Sequence, residues 1–104
     1  MTDVGASSAF ERLDGKLTVF ALANGMDLRK EPSMRQLEWF NDGLERGILL
    51  RADTDGTVEI LVRAWPFGEP ERGVEERHEA EVGPERLTRS LEPAIAHANR
   101  LAIG

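Results

Sequence analysis

The chain contains no cysteine. That excludes disulfides, thiolate zinc sites and a cysteine nucleophile, and it leaves the redox compartment open. A long hydrophobic run is missing too. The richest one, Leu17 to Ala23, falls far short of the ~20 residues that cross a bilayer, so no membrane partner is expected. The N-terminal MTDVGASSAF has no basic stretch ahead of an apolar one, so no secretory signal is expected and the cytoplasm is the default compartment. Positive charge is scarce, with a net charge of −6 at pH 7. Phosphate binding needs a cationic surface, so nucleic acid is not expected as a partner. No GxxxxGK(S/T), GxGxxG or GxSxG occurs, so nothing points to the common nucleotide loops or to α/β-hydrolase chemistry. Internal repeats and low-complexity blocks are absent as well.

What remains is 104 residues, 40% hydrophobic and 31% charged, which are ordinary values for one globular domain. Residues 1–7 are small and polar and read as a flexible N-terminus. Residues 8–104 read as a single α+β domain.

The stretch KLTVFALANGMDLRK, 16–30, has two readings. In the first, Ser8 caps a helix, Glu11 completes a capping box, and Phe10, Leu13, Leu17, Phe20 and Asn24 recur at spacings of three and four. Gly25 then supplies the left-handed stop. In the second, Asn24-Gly25 is a type I′ turn and 17–29 is a β-hairpin. Leu17 to Leu22 shows no polar alternation, which favours the helix.

A second helix is expected over 34–46, capped by Ser33 with Gln36 three residues on. Its stripe is Met34, Leu37, Trp39 or Phe40, and Leu44, and Gly47 stops it. GILLRADTDGTVEILVRAW reads as a β-hairpin around Asp53–Gly56. In its second strand Val58, Ile60, Val62 and Ala64 share one face, and Glu59, Leu61, Arg63 and Trp65 the other. VEERHEAEV, 74–82, reads as a third strand. Val74, Glu76, His78, Ala80 and Val82 lie on one face, and Glu75, Arg77, Glu79 and Glu81 on the other. Gly83-Pro84 opens the last helix, with Leu87, Leu91, Ile95 and Ala98 as its stripe. Pro93 either kinks it or lies in the first turn of a separate helix capped by Ser90. The expected fold is therefore a three-stranded antiparallel meander with three helices, in the order ααβββα.

Three strands make a platform about 15 Å wide, and one face holds about two helices. A third apolar stripe must cover the second face, pack on its fellows or meet another subunit. Homodimerisation and a monomer with both faces covered are both consistent with this. Leu49, Leu61 and Trp65 form a seat on the second face. Residues 69–81 add six glutamates against two arginines, either a solvated strand edge or an acidic surface that steers a basic partner.

His78 with Glu76 is the only catalytic candidate: a carboxylate beside an imidazole raises its pKa toward that of a general base. A half-buried structural histidine has the same signature. His97 has no carboxylate at i±3 or i±4, and the two histidines lack HxxxH or HxH spacing, so no metal site or cofactor is expected. DTDGTVE reaches its glycine at position 4 rather than 6 and is a turn, not a calcium loop. AWPFGEP places Trp65 and Phe67 around a proline at a strand end, where loops carry function. The expected function is thus a non-enzymatic protein-interaction or adaptor module, homodimeric or bound to another protein. Its contacts are Trp65, Phe67, Leu61, Leu49, Glu75 and Glu79. The alternative is a small enzyme or ligand-binding domain with a pocket near His78 and the 65–70 loop. The small, acidic plan resembles bacterial adaptor and secretion-chaperone domains in size, charge and element order, with no motif to carry the likeness.

Overall fold

Asn24-Gly25 ends a helix. In the computed structural model, which describes residues 4–53 and 55–103 with side chains from Phe10 onward, α1 runs Val4–Asn24. Gly25 follows with φ +66°. The Met26 N–H donates to the Ala21 carbonyl at 2.8 Å and the Gly25 N–H to Leu22 at 3.4 Å, the paired bonds of a Schellman stop. The helix reading of 16–24 holds and no hairpin forms there. The helix begins before Ser8, so the expected cap residue lies inside it. The part of the expected flexible N-terminus at 1–3 lies outside the described residues.

The strands β1 (Asp27–Glu31), β2 (Met34–Asn41), β3 (Leu44–Ala52), β4 (Val58–Trp65) and β5 (Val74–Val82) form one antiparallel meander in chain order. A short 3-10 turn, Pro70–Arg72, precedes β5, and α2 (Pro84–Arg100) closes the chain. The order is α, five strands, α, which corrects the expected ααβββα fold with three strands and three helices.

The expected second helix is where the two differ most. Residues 34–41 alternate across a sheet, and Asp42 and Gly43 turn the chain with φ of +53° and +79°. Two left-handed residues between paired Asn41 and Leu44 make a two-residue hairpin loop. Gly47 does not stop a helix. It sits inside β3, where a Cβ would lie 3.3 Å from both the Leu37 carbonyl oxygen and the Trp65 ring.

Both helices lie on the same side of the sheet. Leu37, Ile48 and Val62 align across β2, β3 and β4, and Leu50 aligns with Ile60. All are fully buried, with Phe10, Leu13, Leu17 and Ala21 of α1 and Leu87, Leu91, Ala94 and Ala98 of α2 in one cluster. Five strands at ~4.8 Å give a platform about 24 Å wide, enough for two helices side by side. No surplus helix remains to require a second subunit. The last helix is continuous, with Pro93 inside it rather than between two helices.

Two polar groups tie the helices down. Arg46 is 2% exposed and reaches the C-terminal end of α2. Its Nη1 donates to the carbonyls of Ala98 at 2.6 Å and Leu101 at 2.9 Å, and its Nε to Asn41 at 3.0 Å. A cation at the negative end of a helix, bonded to carbonyls that have no partner within the helix, satisfies both. Arg35 holds α1: it donates to Asp14 at 2.8 and 3.1 Å and lies over the Phe10 ring. That bond, set against slight burial, keeps the Asp14 carboxyl below its ordinary pKa.

Candidate functional site

No described helix lies over the opposite face of the sheet. Its rows follow from the register: Arg29, Gln36, Leu49, Leu61 and Arg77 in one, and Asp27, Glu38, Gly47, Arg63 and Glu75 in the next. Leu61 and Trp65 are nonetheless buried, at 5% and 6%. Trp65 rests against Gly47, donates its indole N–H to Glu45 at 2.7 Å and has the Arg63 guanidinium over its ring. Leu61 neighbours an ionic chain in which Glu59 pairs with Arg51 at 3.1 Å and Arg77 at 2.8 Å. The stems of such long side chains shield apolar surface while their heads stay in water. Leu49 is half-buried, and Glu75 pairs with Arg63 at 3.6 Å.

Exposed apolar surface lies elsewhere. Phe67, in the loop after β4, is 74% exposed, and Phe40, near the end of β2, is 61% exposed. Trp39 and Phe40 separate as strand neighbours must. The Trp39 indole turns to α2 and donates to Asn99 at 2.9 Å, while Phe40 stays outside. Phe40 and Phe67 line one cleft of about 420 Å³ with Asp27, Glu38 and Glu45. A second cleft of about 420 Å³ adjoins it, sharing the three carboxylates and adding Arg29, Arg63, Trp65 and Pro70. The 65–70 loop therefore borders both. A shallower apolar groove of about 750 Å³ runs along α1, between Arg12, Lys16, Val19 and Phe20 and Thr88 of α2.

The histidines meet across β5 and α2. Two irregularities in the β4–β5 register, with Ile60 opposite Glu79 and Leu61 opposite Arg77, add residues to β5 and turn both His78 and Glu79 toward α2. Glu79 was expected on the outer face; instead it accepts from Ser90 at 3.1 Å and pairs with Arg86. His78 Nδ1 lies 2.9 Å from His97 Nδ1, and His97 Nε2 lies 2.9 Å from Glu76. Glu76 thus serves His97, not His78. Burial and the His97 imidazole push the His78 pKa below its ordinary value, with Glu79 partly opposing them. This corrects the expected rise. His78 lines none of the three clefts, and among the described residues no three acidic or histidine side chains are grouped to hold a metal ion.

Fold and site together define a small α+β domain: one antiparallel sheet, two helices on one face, and an aromatic and acidic corner on the other. Compared with family models, curated proteins and solved structures, the chain matches none. No described helix is long and apolar enough to cross a membrane.

Proposed function

We propose that the chain is a non-enzymatic protein-interaction or adaptor module of the cytoplasm. It engages a protein partner, a second copy included, on the uncovered sheet face and the loop after β4. One observation carries the reading: both helices lie on one side, so the other side presents Phe40, Phe67 and half-buried Leu49 with no described helix over them. Large exposed apolar side chains grouped with polar neighbours are the usual mark of a contact surface. Trp65 and Leu61 are the floor of this surface rather than its contacts, because they are already out of water. Glu75 belongs to its charged rim.

Sedimentation velocity at micromolar concentration tests the self-associating form. A homodimer sediments as twice 11.6 kDa, and Leu49→Glu on the sheet face returns it to the monomer. A wild-type monomer at every concentration removes the second copy as partner. Association that Leu49→Glu leaves intact places the contact elsewhere on the molecule.

The second reading, a small enzyme or ligand-binding domain at His78, has the hydrogen-bonded chain Glu76–His97–His78 in its favour. Neither histidine lines any of the three clefts described above.

A further inference from the structure

We infer that the corner cleft between Phe40 and Phe67 is a receptor for the guanidinium of an arginine in a basic segment of the partner protein. The inference rests on the interaction-module reading and names the chemistry of what that surface receives.

The cleft joins two kinds of wall. Phe40 and Phe67 contribute phenyl rings that are mostly in water. Asp27, Glu38 and Glu45 supply carboxylates, and no arginine or lysine lines the same cavity. Among the described residues Asp27 and Glu45 form no ion pair, and Glu38 has only Arg29, at 3.4 Å. Other carboxylates on this face, Glu59 and Glu75, are matched by arginines of the chain itself. Two of the corner's three carboxylates, Asp27 and Glu45, thus have no ion-pair partner among the described residues, and Arg29 and Arg63 line the adjoining cleft rather than this one.

Glu45 is also set in place by one neutral donor. The Trp65 indole N–H holds one oxygen, and Trp65 is in turn fixed against Gly47. The carboxylate is oriented at the edge of the cleft without losing its charge to a cation. Such an arrangement suits a flat cation with apolar faces. A guanidinium stacks on aromatic rings and donates in its plane to carboxylates, whereas an ammonium is a more strongly hydrated point charge. An apolar side chain would leave the carboxylates desolvated, and an anion would be repelled.

The test is a two-dimensional NMR titration of the labelled full chain with capped tri-arginine, tri-lysine and tri-glutamine peptides. Saturable shifts centred on Phe40, Glu45 and Phe67, several-fold tighter for arginine than for lysine and absent with glutamine, support the inference. Phe67→Ala and Glu45→Gln then each weaken the arginine peptide by about tenfold, the scale of one desolvated cation–π or charge-assisted contact. Shifts that follow charge alone along Glu75, Glu76 and Glu81 of β5, or equal responses to arginine and glutamine, overturn it. A silent cleft in a protein whose self-association still responds to Leu49→Glu overturns the arginine site and leaves the interaction module standing. Arginine binding in a chain with no protein partner supports the site and overturns the module, making the chain a binder of small cations.

Discussion

The two faces of the sheet exclude water by different means. On the helix side, apolar rows from β2, β3 and β4 meet apolar stripes from α1 and α2; of the two arginines there, Arg46 is buried on backbone carbonyls and Arg35 is bonded to Asp14 of α1. On the open side, Leu61 and Trp65 are nearly as dry, yet the layer over them is arginine and glutamate. Burial in a single subunit therefore does not require a second layer of secondary structure. The parts of the open face that such a layer leaves bare, Phe40 and Phe67, are the surface proposed above for a partner.

Arginine itself gives the sharpest contrast between the faces. Arg46→Ala leaves the Leu101 carbonyl without its donor, leaves the Ala98 carbonyl with the Leu101 N–H alone, and opens a cavity at the end of α2, so urea unfolding is expected to show a loss of about 2–4 kcal/mol. Gly47→Val pushes a side chain against Trp65 and the Leu37 carbonyl. A loss of about 1–3 kcal/mol is expected, together with a shift of tryptophan fluorescence as the indole leaves its seat. Arg63→Ala, on the open face, removes a cation over Trp65 and a partly exposed ion pair, and about 0.5–1 kcal/mol follows. If Arg63→Ala cost as much as Arg46→Ala, the distinction between the two faces would fail.

Acidification probes the β5–α2 seam. The fold favours neutral His78, so its contribution is complete above 6.5, the ordinary histidine value. It is lost as pH falls from there through the lower folded value, because the unfolded chain takes up the proton first. Protonating both rings would also set two N–H groups against each other at the His78–His97 contact. Asp14 contributes in the same direction only below 3.8. Urea midpoints should therefore decline in two separate acid windows, and His97→Gln should diminish the upper one. Phe67→Ala comes last, with stability expected to move by less than about 0.5 kcal/mol because the ring is mostly in water. A larger loss would mean that Phe67 supports the fold rather than waiting for a partner.

Much of this was legible in the residues. Alternation in Val58 to Trp65 and the Asp53–Gly56 turn marked β3 and β4, and the stop at Gly25 and the start at Pro84 marked the ends of α1 and α2. β1 and β2 were not legible, for a physical reason. Leu28 is the one partly buried residue of edge strand β1, so β1 has no apolar pattern to read. In β2 the inward residues are Arg35, Leu37 and Trp39, and a capping box at Ser33 with chance helical spacing reads as a helix that runs across the Asp42-Gly43 turn. The aromatic loop was visible in sequence, but its acidic partners Asp27, Glu38 and Glu45 come from three strands that were not expected to be neighbours. Pairing of His97 with Glu76 was equally hidden: it spans 21 residues and depends on the irregular register of β5. The role of Arg46 was hidden as well: the expected helix over 34–46 ended on it, and β3 also carries Glu45 and Arg51.

Solvent paramagnetic relaxation with a soluble, neutral gadolinium chelate tests the central claim most directly, since it reads each side chain's access to water. The account predicts strong relaxation of the Phe40 and Phe67 ring protons, and weak relaxation of the Trp65 ring protons and the Leu61 and Leu37 methyl protons alike. Shielded phenyl rings beside an accessible Trp65 indole in the monomer would contradict it.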